Sequence, residues 1–261
     1  MMSLEKMAFE PGATGPFLVS FSGIDGAGKT TQIDGLSIWF QKFGLRVIRL
    51  SYWDDVAIWS KFRADVGGRA QSSQDMNEAS GATFVPRNNK HVQKWYLTAS
   101  RLGLYLLDVI RLRRLLASES VRNSDVVIFD RYIYDQIANL SLQSSASRAY
   151  GRMVLRQTPV PHLAFVIDAS PVAAFARKPE YPLEFMYKNR QSFLRLRELA
   201  PELIIIPEGK PEEVRGEIFL RLARSRLLKR RLCEESPRST WDSVVRQQSS
   251  CRVQNEPTTG I

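Results

Sequence analysis

The sequence predicts an α/β fold, a parallel sheet of five strands flanked by helices, and three observations carry that expectation. Five short runs rich in Val, Ile, Leu and Phe recur along the chain; longer segments with apolar residues at helical spacing separate them; and a glycine-rich stretch directly follows the first run. The runs lie at 17–22 (FLVSFS), 45–50 (LRVIRL), 126–130 (VVIFD), 163–168 (LAFVID) and 203–207 (LIIIP), and their near-continuous hydrophobicity reads as strands buried on both faces. Trp95, Leu97, Leu102, Leu104, Leu106, Ile110 and Leu115 mark one helix, and Phe185, Phe193, Leu196 and Leu199 another. Such a sheet places its ligand crevice at the carboxyl ends of the strands, so the residues just after each run are where chemistry is expected.

Composition narrows the class. The 261 residues include 44% hydrophobic residues and no apolar run approaching the roughly 18 to 20 residues of a membrane span. Glu5, Lys6 and Glu10 interrupt the amino-terminal stretch, and a cytoplasmic enzyme-sized protein is expected. Two cysteines, Cys233 and Cys251, make neither a disulfide framework nor a zinc site readable, so any metal is expected to sit on oxygen. The net charge is +10, and half of that excess falls in the last 41 residues. The remaining surface suits anionic small molecules without calling for nucleic acid.

The elements divide the chain into an amino-terminal extension (1–15), one domain (16–232) and a polar tail (233–261) expected to be disordered, and the basic run that leads into the tail, at 221–232, suits weak contact with nucleic acid or another polyanion. Within the domain, 66–90 is rich in Gly, Ser, Asn and Gln and reads as a mobile loop.

The sharpest motif is Gly23-Ile24-Asp25-Gly26-Ala27-Gly28-Lys29-Thr30, a G-x4-G-K-T match between a strand and a helical pattern beginning at Thr31. Gly23, Gly26, Ala27 and Gly28 let backbone N–H groups point inward at phosphate oxygens, and the following helix, from Thr31, presents its positive end. Lys29 is placed to neutralise the β and γ phosphates of ATP, and the Thr30 hydroxyl to ligate Mg2+. Asp130, closing VVIFD, is the second metal-ligand candidate, and Arg131 emerges at the same sheet edge, where a guanidinium can grip an anion through two hydrogen bonds. Asp65-Val66-Gly67-Gly68 matches D-x-x-G, but no buried strand leads into it and no N-K-x-D follows, which excludes a GTPase.

Across about residues 16–220 the chain resembles the thymidylate kinase family of P-loop phosphotransferases. The resemblance rests on FSGIDGAGKTTQ at the phosphate loop, ASR at 99–101, DRY at 130–132, a short lid (173–184) with Arg177, and the helix FMYKNRQSFLRL. It implies the P-loop nucleoside triphosphate hydrolase fold, transfer of the γ-phosphate of ATP to a nucleotide, Mg2+, and room for a homodimer. By position it implies that Asp25 lies beside the acceptor sugar, that Arg131, Tyr132, Leu97 and Arg101 contact the acceptor, that Arg177 arrives with the lid, and that Lys210 lies where adenine is laid. The chain also departs from the family. Similar enzymes place a basic residue after the second strand, where this sequence has Ser51-Tyr52-Trp53-Asp54-Asp55; an aromatic where it has Leu97; and a serine, tyrosine and glutamine where it has Asp135, Asn139 and Leu140. Asp54, Asp55 and Trp59 resemble the deoxynucleoside kinases, whose carboxylate accepts a hydroxyl proton, so a hydroxyl acceptor with Asp54 or Asp55 as base is a second expectation. A third, of another class, is a nucleotide-binding module without catalysis.

Overall fold

The computed structural model describes residues 15–57, 90–140, 142, 144–225 and 228, with residues 90–102 described through their backbone. The 66–90 loop, apart from Lys90, and the 233–261 tail lie outside the described residues.

Five strands, β1 (Phe17–Ser22), β2 (Val47–Ser51), β3 (Val126–Asp130), β4 (Leu163–Ile167) and β5 (Leu203–Ile206), form one parallel sheet in the order β2-β3-β1-β4-β5. The helices are α1 (Lys29–Lys42), α2 (Lys90–Leu116), α3 (Glu119–Arg122), α4 (Ile133–Ala138), α5 (Ser145–Gln157), α6 (Pro171–Arg177), α7 (Leu183–Leu196) and α8 (Pro211–Arg224), with one wide turn of π-helix at Tyr52–Val56.

The three inner strands are buried as their sequences require, with Phe17, Phe21, Phe129 and Phe165 wholly enclosed. Each such side chain contributes roughly 1.5–3 kcal/mol by leaving water. The expectation of burial on both faces fails for β2 and β5. Both are edge strands, Arg49 in β2 is exposed, and Ile204 and Ile205 in β5 are only partly covered. An edge strand has one pairing neighbour and incomplete helix cover, so its apolar run reflects strand propensity and not full enclosure.

Helix packing fixes the crevice at the carboxyl ends. α1 packs on α8, α4 on α7, α6 on α7 and α2 against α5. Because β1 lies in the middle, the loop that follows it opens between the ends of β3 and β4. Two bonds continue the pairing just past the strands: the Arg131 N–H donates to the Phe21 carbonyl at 2.8 Å and the Asp168 N–H to that of Ile206 at 2.9 Å. Among the described residues no helix is long and apolar enough to cross a membrane.

Candidate active site

The loop from Gly23 to Gly28 is shaped by backbone that only glycine adopts without strain. Gly23, Gly26 and Gly28 have φ of 134°, 78° and 88°. Space is limiting too. A Cβ on Gly23 would sit 2.5 Å from the Ile167 carbonyl oxygen, and one on Gly26 would sit 2.3 Å from that of Ala174 in α6. At Gly28 there is open space, so the requirement there is conformational. Ala27 is buried, while Thr30 and Thr31, in the first turn of α1, are exposed.

Lys29 is buried, and its ammonium donates to the carbonyls of Gly23 at 2.9 Å and Ile24 at 2.8 Å, with an Asp25 carboxylate oxygen at 4.0 Å. Burial, aided by the nearby Arg131 charge, lowers it to about 8; Asp135, Asp25 and Asp130 pull in the opposite direction. An ammonium so placed gains from any anion that enters the loop, since phosphate oxygens would replace neutral carbonyls as its partners.

Across the loop, Arg131 is clamped between two carboxylates. Its guanidinium forms an ion pair with Asp25 and donates to Asp135 at 3.1 Å. Its backbone is left-handed at φ 69°, the only non-glycine among the described residues with positive φ. Burial opposes its charge, yet Asp135, Asp25 and Asp130 outweigh that and hold the guanidinium above its ordinary value. Asp135 is almost wholly enclosed, 2% exposed, and accepts from the Ser22 hydroxyl at 2.6 Å and the Tyr132 N–H at 3.2 Å. Burial pushes its carboxyl up, against the downward pull of Arg131 and Lys29. Asp135 was visible in the sequence only as a departure from the family pattern. Its signal was a charge within a buried helix, four residues beyond Arg131.

Asp130 ends β3, opposite Phe21 in β1 and Ser51 in β2. Among the described residues no group of three or more acidic, histidine or cysteine side chains could hold a metal by itself. Magnesium binds through one or two protein oxygens, with phosphates and waters supplying the rest. Asp130 and the Thr30 hydroxyl are hard oxygen donors suited to that part.

Not every expected residue is in this cluster. Tyr132 is fully buried and its hydroxyl donates to the Pro159 carbonyl at 2.6 Å, so its side chain has no surface to offer an acceptor. It belongs to the core, in ring contact with Phe129 and Tyr134. Asp55 accepts from the Ser51 N–H at 2.7 Å, a local bond that closes the π turn, and Asp54 is exposed. Arg177 is exposed in the last turn of α6, its Nε–H donating to the Ala173 carbonyl at 3.1 Å. Lys210 is exposed at the start of α8, where its N–H donates to Glu213 at 3.0 Å; the Gln32 amide reaches the adjacent Pro211 carbonyl from α1 at 3.0 Å. Leu97 and Arg101 lie on α2, with their side chains outside the described residues. Two partnerships had no signal in the sequence. Arg190 in α7 grips Asp168 at the end of β4 with two bonds of 2.6 and 2.7 Å, and Gln136 donates to the buried Asp108 at 2.7 Å.

A central strand feeding a glycine loop and the first turn of a helix, with the charged pair Asp130-Arg131 closing the neighbouring strand, is the construction of the P-loop phosphotransferases. No family model matches the chain. It is 29% identical over 219 residues to a probable thymidylate kinase of Thermococcus gammatolerans, covering 77% of this chain and 92% of that protein. A probable thymidylate kinase of Pyrococcus abyssi is 27% identical over 214 residues, covering 77% and 93%. In fold, the chain is similar to the thymidylate kinase structure from Candida albicans, with a TM-score of 0.53 and 17% identity over 82% of this chain and 94% of that one. In sequence the chain is thus similar to proteins named probable thymidylate kinase, at 27–29% identity, and in fold to a thymidylate kinase structure.

Proposed function

We propose that the protein transfers the γ-phosphate of ATP to a nucleoside monophosphate. The observation that carries this reading is the state of Arg131. A hydroxyl kinase that used Asp54 or Asp55 as base would gather those carboxylates around the guanidinium at the same sheet edge. Here Arg131 is held by Asp25 and Asp135, Asp55 is engaged by the Ser51 backbone, and Asp54 faces water. That leaves the arginine positioned to receive an acceptor phosphate, with Asp25 able to exchange its partner for a substrate hydroxyl. The names carried by the relatives support the same class of acceptor.

The reaction asks for little covalent help, so the chain's work is positioning and charge. The amides of Gly26 to Lys29 would line the phosphates, and Lys29 would turn from the Gly23 and Ile24 carbonyls to the β and γ oxygens. Bound at Thr30 and Asp130, Mg2+ would supply further charge neutralisation at the phosphates. Arg131 would hold the acceptor phosphate in line, and Arg177 would add charge only if α6 and the chain after it swing inward. The Glu208-Gly209-Lys210 segment is the proposed adenine shelf.

The test is a turnover screen of nucleoside monophosphates against nucleosides, read as ADP release, on three proteins. Arg131→Ala should raise the acceptor KM by about a hundredfold, the scale of losing a charged, bidentate contact. Asp54→Asn/Asp55→Asn should leave turnover within about threefold. A dead double variant beside an active arginine variant would establish hydroxyl activation instead, and no ADP release with any acceptor would leave a binding module.

A further inference from the structure

We infer that Asp135 is a positioning residue for acceptor binding: it fixes the Arg131 guanidinium toward the loop, a task for which similar enzymes commonly carry only a serine at this place. The inference rests on the monophosphate reading for its kinetic test and on geometry for its argument. Arg131 occupies a left-handed backbone conformation, φ 69°, which a residue with a Cβ adopts only under strain. That conformation holds because both ends of the residue are tied. The N–H is bound to the Phe21 carbonyl of the central strand, and the guanidinium is bound to Asp135 and Asp25.

The two carboxylates are not equivalent. Asp25 sits on the glycine loop, is 19% exposed, and has Arg131 and the more distant Lys29 as its partners. It is free to exchange. Asp135 is 2% exposed and is itself held by the Ser22 hydroxyl of β1 and the Tyr132 N–H at the start of α4. Three donors meet on one carboxylate: Ser22 at the end of β1, Arg131 just past β3, and the backbone of Tyr132, the N-cap of α4. It therefore cannot follow Arg131 when an acceptor arrives; it anchors one side of the guanidinium while the side facing Asp25 is given up to phosphate. A serine in this place can still accept from the Tyr132 N–H, but its side chain is too short to bridge Ser22 and the guanidinium together.

The experiment is a double-mutant cycle on the full chain. Asp135→Asn and Asp135→Ser are made in the wild type and in Arg131→Ala, with acceptor and ATP saturation curves and melting temperatures for each. Asparagine preserves size and can still accept from Tyr132, but it presents either a neutral oxygen or an N–H to Arg131; serine is the residue that similar enzymes tolerate here. The expected result is a rise of about tenfold in acceptor KM for either variant, with ATP KM within about twofold, and no further rise in the Arg131→Ala background. Equal changes in both KM values, a fall in kcat alone, or additive effects in the arginine-free background overturn the inference and assign Asp135 to structure. Failure of the monophosphate reading shows separately, as an acceptor KM indifferent to Arg131→Ala. In that event the arginine itself is read by NMR. Slow exchange of the Arg131 Nη1–H protons, the ones donated to Asp135, in the wild type and fast exchange in Asp135→Ser sustain the anchoring role; equal exchange in both removes it.

Discussion

Lys29 is the buried cation of the glycine loop, and Asp130 is the carboxylate that closes β3. With burial lowering Lys29 from 10.5 to about 8, the folded, nucleotide-free protein loses that proton near pH 8 while the unfolded chain keeps it to about 10.5. The unfolded state then binds more protons across this window, so this group makes stability rise with pH between about 8 and 10.5, by on the order of 3 kcal/mol at most. Lys29→Met should lack that increment. Denaturant titrations of the two metal-free proteins at pH 7.5 and 10 measure it as the difference between their pH slopes, and parallel slopes contradict it. The same variant should lose phosphoryl transfer by about two to three orders of magnitude, the scale of removing one electrostatic stabiliser of the transferred group. Asp130→Asn retains shape and loses charge. It should shift the magnesium requirement for turnover upward by about tenfold or more, and an unchanged magnesium titration would leave Asp130 as the end of a strand and nothing else.

The glycine loop packs directly against α6. Gly26 lies so close to Ala174 that no Cβ fits between the two backbones, and Ala174 is buried at the base of the segment expected to act as a lid. Gly26→Ala should therefore do two things. It should cost roughly 1–2 kcal/mol for the left-handed conformation, with more for the contact. It should also displace α6, so ATP affinity falls even though no phosphate-binding group has been removed. Gly28→Ala shares the unfavourable conformation but meets open space, so its loss of stability should be smaller. Melting temperatures of the pair, measured without nucleotide, separate contact from conformation. If the two variants melt together, the loop and α6 are not coupled through this contact.

The molecule as a whole is organised around β1, and its described core extends to Leu228, which is fully buried beyond the end of α8. A chain ending at Leu232 should keep the melting temperature and ATP affinity of the full protein. One ending at Ser225 should lose the roughly 1.5–3 kcal/mol that burying a leucine contributes. Thermal denaturation of the two truncations checks both statements, and a large loss on removing only 233–261 would show that the tail docks on the domain. Removing 233–261 takes away three basic and four acidic residues and leaves the basic run at 221–232, so the shorter chain should keep its affinity for polyanions and the salt dependence of that binding.

Much of this was legible along the chain, because it depends on neighbours in sequence. The inner strands were bounded within a residue or so by their apolar runs, and the phosphate loop was readable because strand, glycines, lysine and helix are contiguous. Asp130 and Arg131 were placed by ending one of those strands. Which groups meet across the crevice was not legible, since the pairs are remote: Arg131 and Asp25 are 106 residues apart, and Ser22 and Asp135 are 113. The motif that named Arg131 also suggested Tyr132 as a ligand contact, because adjacent residues look equivalent in a string. Folding separates them, sending the arginine to the crevice through a left-handed backbone and the tyrosine into the core. Local pattern determines which residue types reach the sheet edge. Only the packing of β1 against β3 and of α4 beneath them sets which charges lie within hydrogen-bond reach, since Coulomb and hydrogen-bond energies depend on distances that a one-dimensional spacing does not contain.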